Sequence, residues 1–164
     1  MSYGSGPKIF RALFIVFAMM FMAACSNSGQ DGLDGSLTRA EPGTAQHFVV
    51  TVGDRVFFQT DSTSLTDASK VTLAKQAEWL NKYPTYSILI EGHADERGTR
   101  EYNLALGARR ATSTRNYLVS RGVSASRLRT ISFGKERPVA VCDDISCWSQ
   151  NRRAVTVLEG QNSG

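Results

Sequence analysis

Residues 55–60 read Arg-Val-Phe-Phe-Gln-Thr, a short apolar run that gives way to Asp-Ser-Thr-Ser-Leu, so the pattern predicts a brief strand and then a turn-rich loop. From Thr66 or Asp67, either able to cap a helix, Val71, Leu73, Ala74, Ala77 and Leu80 form an imperfect helical stripe to about Lys82, where Pro84 closes the element off. Residues 86–94 are nearly continuous in their apolar part, as a strand covered on both faces should be. A second helix is predicted from about Arg100 to Arg121, ended by Gly122. At ~100° per residue, Leu104, Gly107, Ala111, Thr114 and Leu118 gather on one side of it, the natural face toward a sheet. Residues 128–134 alternate, with Leu128, Thr130 and Ser132 opposite Arg129, Ile131 and Phe133, and residues 152–160 supply a last strand. The order β-α-β-α-β-β predicts an α+β fold, a mixed β-sheet with helices packed against it and right-handed crossovers joining the parallel pairs.

The first 45 residues lie outside that alternation. Lys8 and Arg11 precede an unbroken apolar run, Ala12 to Met22, followed by Ala23, Ala24 and Cys25. Such a run reaches roughly 17 Å as a helix, short of the ~30 Å hydrocarbon core of a bilayer. This is the build of a secretory signal peptide over residues 1–24. The cysteine placed after Met-Ala-Ala resembles the bacterial lipobox, with Met22 in place of the usual leucine, and implies acylation of the Cys25 thiol. Several acyl chains, at ~0.8 kcal/mol per buried CH2, would make the attachment lasting. Ser26 after the cysteine resembles the pattern of an outer-membrane destination. The remainder of residues 25–45 is rich in Gly, Ser, Asp and Asn and reads as a flexible tether with a root-mean-square span of roughly 25 Å. A globular domain is expected over residues 46–164.

Composition narrows the function by exclusion. The 41% hydrophobic content suffices for a core, and the net charge of +4 is partly borrowed from the N-terminus. With Lys8 and Arg11 set aside, 17 bases face 15 acids, and no Lys/Arg stripe interleaved with aromatics argues for nucleic acid. Cys142 and Cys147 remain as an even pair in an exported protein, which predicts a disulfide across a short loop; a metal site would need more thiol or imidazole ligands than that stretch offers.

The chemistry concentrates in EGHADERGTREYNLALGARRA, residues 91–111, where a strand hands over to a helix. His93 and Asp95 share one side of the strand and could start a metal site. The chain has only two histidines, however, with His47 near the tether, and it lacks H-E-x-x-H, G-x-S-x-G and a glycine-rich phosphate loop. No catalytic residue, metal or cofactor is expected, and His93 is expected to be a hydrogen-bonded residue beside the sheet. On the helix, Asn103, Leu106 and Arg110 fall in one row, Arg110 flanks the buried face and Arg109 looks to solvent. Asp95, on the loop that feeds the helix, can meet Arg110 at the carboxyl ends of the parallel strands, where such sheets tend to bind ligands. The loop of residues 60–65 should open on the same rim with free backbone amides. The plainer alternative is that Asp95 and Arg110 merely neutralise each other.

The same stretch, followed by RGVSASRL, SFGKERP and NRRAV, resembles the OmpA-like peptidoglycan-binding domain family over roughly residues 54 to 159. The resemblance implies that Asp95 and Arg110 hold the diaminopimelate of a peptidoglycan stem peptide. A carboxylate suits the ligand's ammonium, and a guanidinium can fork onto its carboxylate. Amides around Asp61, Ser62 and Thr63 would complete the carboxylate's shell, Leu106 would pack on the aliphatic stem, and Asn103 would stand beside it. Without ligand, Asp95 and Arg110 are expected to pair, and alanine at either should abolish binding while leaving the fold intact. Family members often carry aspartate where this chain has Gln59, and Asn151, Arg152 and Arg153 match the closing triplet, read as structural support for the rim. With lipobox and tether, the chain resembles the lipid-anchored members. These link outer membrane to cell wall, and their partners are peptidoglycan, TolB and other Tol–Pal components, in envelope integrity and cell division. Two other classes stay open: a periplasmic cell-wall hydrolase with metal at His93 and Asp95, and a pure protein-interaction module.

Overall fold

The structure, a computed structural model, describes residues 40–161; the signal segment, Cys25 and most of the expected tether lie outside the described residues. The elements are β1 Arg55–Phe57, α1 Asp67–Lys82, β2 Tyr86–His93, α2 Arg100–Ser120, β3 Leu128–Gly134, α3 Ile145–Asn151 and β4 Arg153–Gln161. The sheet order is β1-β4-β2-β3. β2 and β3 run parallel, and β4 is antiparallel to both β1 and β2. The last strand thus enters the middle of the sheet, and the expected mixed α+β architecture is observed.

The local signals set most boundaries. Thr66 caps α1 by accepting the Ser69 amide at 3.1 Å, and Thr99 caps α2 by accepting that of Tyr102 at 3.2 Å. Each satisfies a donor that a helix start leaves without an internal partner. Packed chain begins ahead of residue 46. Gly43 accepts the Tyr86 hydroxyl at 2.8 Å, and Ala45–His47 forms a helical turn that runs on as the π-turn Phe48–Val52. Phe48 is buried there with its ring 5.0 Å from that of Trp79, and His47 Nδ1 accepts Trp79 Nε1–H at 2.8 Å. β1 is shorter than residues 55–60, since only Arg55–Phe57 pair with β4. The short helix α3, which starts between the two cysteines and runs past Cys147, is not predicted by the sequence pattern. Its signal is Asp144, whose carboxylate accepts the Ser146 amide at 2.7 Å, but seven residues give too little periodicity to read.

Gly92 and Gly107 set the helix on the sheet. A β-carbon on Gly92 would collide with the Gly107 carbonyl, and one on Gly107 with the Ser132 hydroxyl, so α2 lies directly on the backbone of β2. That contact fixes which face of α2 is inside. Gly107, Ala111, Thr114 and Leu118 are buried as expected, whereas Leu104 is 42% exposed and Asn103, Leu106 and Arg110 are buried instead. The helix is rolled because the loop after β1 covers the Leu106–Arg110 side. On α1, Val71 is likewise exposed while Gln76 is buried. Gln76 donates to Gly53 O at 2.7 Å and accepts the Thr156 hydroxyl at 2.8 Å, which satisfies a polar side chain inside the core. The hydrophobic core runs from Phe48 to Leu158, so the unit Arg39–Gly164 encloses its own core. Among the described residues no helix is long and apolar enough to cross a membrane.

Candidate functional site

A cleft of about 280 Å³ opens where β2 ends and α2 begins. Asp95, Arg97 and Gly98 come from the connecting loop, Tyr102, Asn103, Leu106 and Arg110 from α2, and Thr60 and Asp61 from the loop after β1. The parallel pair β2–β3 points its carboxyl ends here, as expected for the binding edge of such a sheet.

Arg110 forms part of the wall although it is 0% exposed. It is not a flanking residue but a keystone. Nη1 donates to His93 O at 2.8 Å, Nε to Ser62 O at 2.9 Å and Nη2 to Gln59 O at 3.1 Å. Its guanidinium carbon also sits 5.2 Å from the centre of the Phe58 ring. One proton on each Nη remains unspent, which suits a bidentate grip on a carboxylate. Burial pulls its pKa down to about 10, against the pull of Asp95, so it remains a cation at neutral pH.

Asp95 does not pair with Arg110, contrary to the expectation for an empty site. Oδ2 accepts Arg97 Nη2 at 2.8 Å and Arg152 Nη1 at 3.2 Å; Oδ1 accepts Arg97 Nε at 3.2 Å and the Arg97 amide at 3.3 Å. Arg110 is spent on three carbonyls, while Arg97 follows Asp95 by two residues and reaches it locally. Burial would raise the Asp95 pKa, but the guanidiniums of Arg97 and Arg152 outweigh it and hold the carboxyl below its usual range. Arg97 and Arg152 are the partners of Asp95 that the sequence pattern does not point to. Arg152 was read only as support, yet it is buried and also donates to Phe58 O at 3.1 Å, tying β4 to the site. Its neighbours do brace the rim. Asn151 accepts the amides of Val139 at 2.8 Å and Ala140 at 3.2 Å, and Arg153 donates to Arg137 O at 3.1 Å.

The loop after β1 joins the site in a different way than expected. Asp61 adopts φ 51°, and its carboxylate accepts the Tyr102 hydroxyl. The Ser62 amide is not free: it donates to Gln59 O at 3.2 Å, and the Ser62 carbonyl faces Arg110. Thr63 lines a separate open groove with Leu65, Lys70 and Tyr117. Gln59 serves through its carbonyl, which any residue could supply. Asn103 Nδ2 donates to Arg97 O at 2.6 Å and so holds the Asp95 loop against α2.

His93 is not hydrogen-bonded through its ring. At 1% exposure both ring nitrogens lack a hydrogen-bond partner, and Nε2 stands 3.4 Å from Glu91 Oε2 outside hydrogen-bonding geometry. Its ring stacks on Phe133 at 5.6 Å. Burial, then the charges of Arg153 and Arg137, lower its pKa to about 4, so it is neutral at neutral pH. Among the described residues no group of three or more His, Cys, Asp or Glu side chains converges on a possible metal position. Beside the cleft, Cys142 and Cys147 are joined in a disulfide.

Comparison with known proteins agrees with this fold. The OmpA family profile matches residues 57–152. The chain is 60% identical over 157 residues to the peptidoglycan-associated lipoprotein of Mesorhizobium japonicum, covering 92% of this chain and 93% of that one. It is 64% identical over 154 residues to the Rhizobium meliloti protein of the same name, covering 93% and 88%. The crystal structure of the peptidoglycan-associated lipoprotein from Burkholderia pseudomallei superposes with a TM-score of 0.67 at 40% identity, over 71% of this chain and 100% of that one. The C-terminal domain of Helicobacter pylori MotB, 22% identical with a TM-score of 0.62, shares the fold. The chain belongs to the OmpA family, among its peptidoglycan-associated lipoproteins.

Proposed function

We propose that the cleft grips the diaminopimelate of a peptidoglycan stem peptide without breaking a bond, and that the chain thereby ties the outer membrane to the cell wall through acylated Cys25. The observation that carries this reading is one buried carboxylate, Asp95, and one buried guanidinium, Arg110, on the wall of a single cleft. The ligand's distal ammonium goes to Asp95 and its carboxylate to the two unspent Nη protons of Arg110, while Leu106 covers the methylene stem. At groups as buried as these two, each charge-assisted bond counts for more than it would in water. TolB and the other Tol–Pal components are the proposed protein partners, and envelope constriction during division the setting; family resemblance supports both.

Sedimentation with purified cell-wall sacculi tests the reading. The chain from residue 26 onward should pellet with sacculi, and Asp95→Asn should stay in the supernatant while melting as a folded domain. Undiminished pelleting of that variant would defeat the proposal. Release of soluble wall fragments, suppressed by a chelator, would replace it with the hydrolase reading.

A further inference from the structure

An ionised carboxylate offers about four lone-pair sites, and in this structure those of Asp95 are all taken. Arg97 supplies its amide, Nε and Nη2, and Arg152 supplies Nη1. The two arginines are not equivalent. Arg152 is buried and anchored on Phe58 O at 3.1 Å, whereas the Arg97 side chain is 42% exposed. The backbone that carries Arg97 is held in place. Lys135 Nζ donates to Glu96 O at 3.1 Å and Gly98 O at 2.7 Å, and Asn103 holds Arg97 O at 2.6 Å. Only the Arg97 side chain is therefore free to leave without disturbing the loop.

A second contact holds it in. The guanidinium carbon of Arg97 lies 4.2 Å from the centre of the Trp148 ring, and Trp148 Nε1–H is donated to the Glu96 carboxylate. Trp148 sits on α3 directly after Cys147, whose disulfide to Cys142 closes the loop. Asn151, at the end of α3, binds Val139 and Ala140 on the other side of that loop. The indole is thus presented by a doubly braced helix.

We propose that Arg97 is a built-in stand-in for the ligand's ammonium, clamped on Asp95 by the face of Trp148, and that a cationic ligand must displace it to bind. This rests on the reading of the cleft as a diaminopimelate site and adds a competitor to it. The disulfide-braced loop then sets the strength of binding through one side chain that the ligand replaces. A supporting residue in the ordinary sense would have the opposite sign, because losing it would weaken the ligand's hold.

Titration calorimetry on the full chain in detergent, with meso-diaminopimelate as the probe, separates the outcomes. A cation–π contact of about 0.5–1 kcal/mol corresponds to a roughly two- to five-fold change in affinity. Trp148→Ala should therefore bind the probe two- to five-fold more tightly, and Arg97→Met at least as tightly as that. Trp148→Phe, which keeps an aromatic face, should return most of the way to the parent. Pimelate, which lacks the ammonium groups, should gain nothing from either variant. Unchanged or weaker binding of meso-diaminopimelate by both variants, or an equal gain for pimelate, overturns the proposal while leaving the cleft reading intact. If the parent binds no meso-diaminopimelate, or Asp95→Ala binds it as well as the parent, the cleft reading fails and the competitor falls with it.

Discussion

The carbonyl of His93, at the end of β2, accepts Nη1 of Arg110, from the middle of α2, at 2.8 Å. With its bonds to Ser62 O and Gln59 O, the same guanidinium joins the β1 loop, the β2 end and the helix. Its position in the cleft and the integrity of the fold are consequently one property.

Arg110→Ala should therefore unfold far more easily than the parent, contrary to the expectation that alanine there leaves the fold intact. Removing a side chain that serves one buried and two partly buried carbonyls leaves the His93 carbonyl without its donor, at about 1–3 kcal/mol, weakens the hold on the β1 loop and opens a cavity. Urea titration should show a loss on the order of 3 kcal/mol or more. Arg110→Lys should lose less stability but most of the bidentate grip. A parent-like midpoint for the alanine variant would count against the keystone role.

The approach of α2 to β2 gives a second prediction. Gly107→Ala sets a methyl against the Ser132 hydroxyl and the Gly92 backbone, and Gly92→Ala sets one against the Gly107 carbonyl. Neither backbone can yield without moving the helix off the sheet. Each should cost about 1–3 kcal/mol in thermal or chemical denaturation, at Gly107 despite alanine's better helix propensity.

His93 makes stability depend on pH with a definite sign. In the folded chain it stays neutral down to about 4, whereas an unfolded histidine takes its proton near 6.5. Acidification between those values protonates the unfolded chain first, so this group's contribution falls as pH drops through that window and levels off below about 4. The full loss is up to about 3 kcal/mol. His93→Phe, which keeps the stack on Phe133, should flatten that part of the profile relative to the parent. Identical profiles for the two would remove His93 from the account.

Reducing the disulfide should destabilise the domain modestly. The bond closes a loop with a sequence separation of 5, and the loop-entropy relation gives about 2 kcal/mol for so short a ring. Denaturation with and without reductant measures it. The change should be absent in a Cys142→Ser, Cys147→Ser variant.

Much of the candidate site is legible in the sequence. The strand-to-helix junction and family resemblance point to Asp95, Asn103, Leu106 and Arg110, and all four line one cleft with Asp61. Their partners were not legible. Periodicity places residues on a face but not the roll of that face, so Leu104 was set inside and Arg110 on the flank, whereas the Gly92–Gly107 contact turns them the other way. Free amides were expected at Ser62, but the turn back to Gln59 O consumes its donor, and no spacing rule reports that.

By itself, then, the sequence determined the order of the strands and the two long helices, the cap of α1, the paired cysteines and the residue types at the cleft, because each depends on neighbours within a few positions. Only the tertiary structure decided that β4 enters between β1 and β2. That insertion carries Arg152 from the far end of the domain to Asp95 at 3.2 Å. Which charge answers which is settled by distance across the sheet, and distance between residues remote in the chain is a property of the packed core.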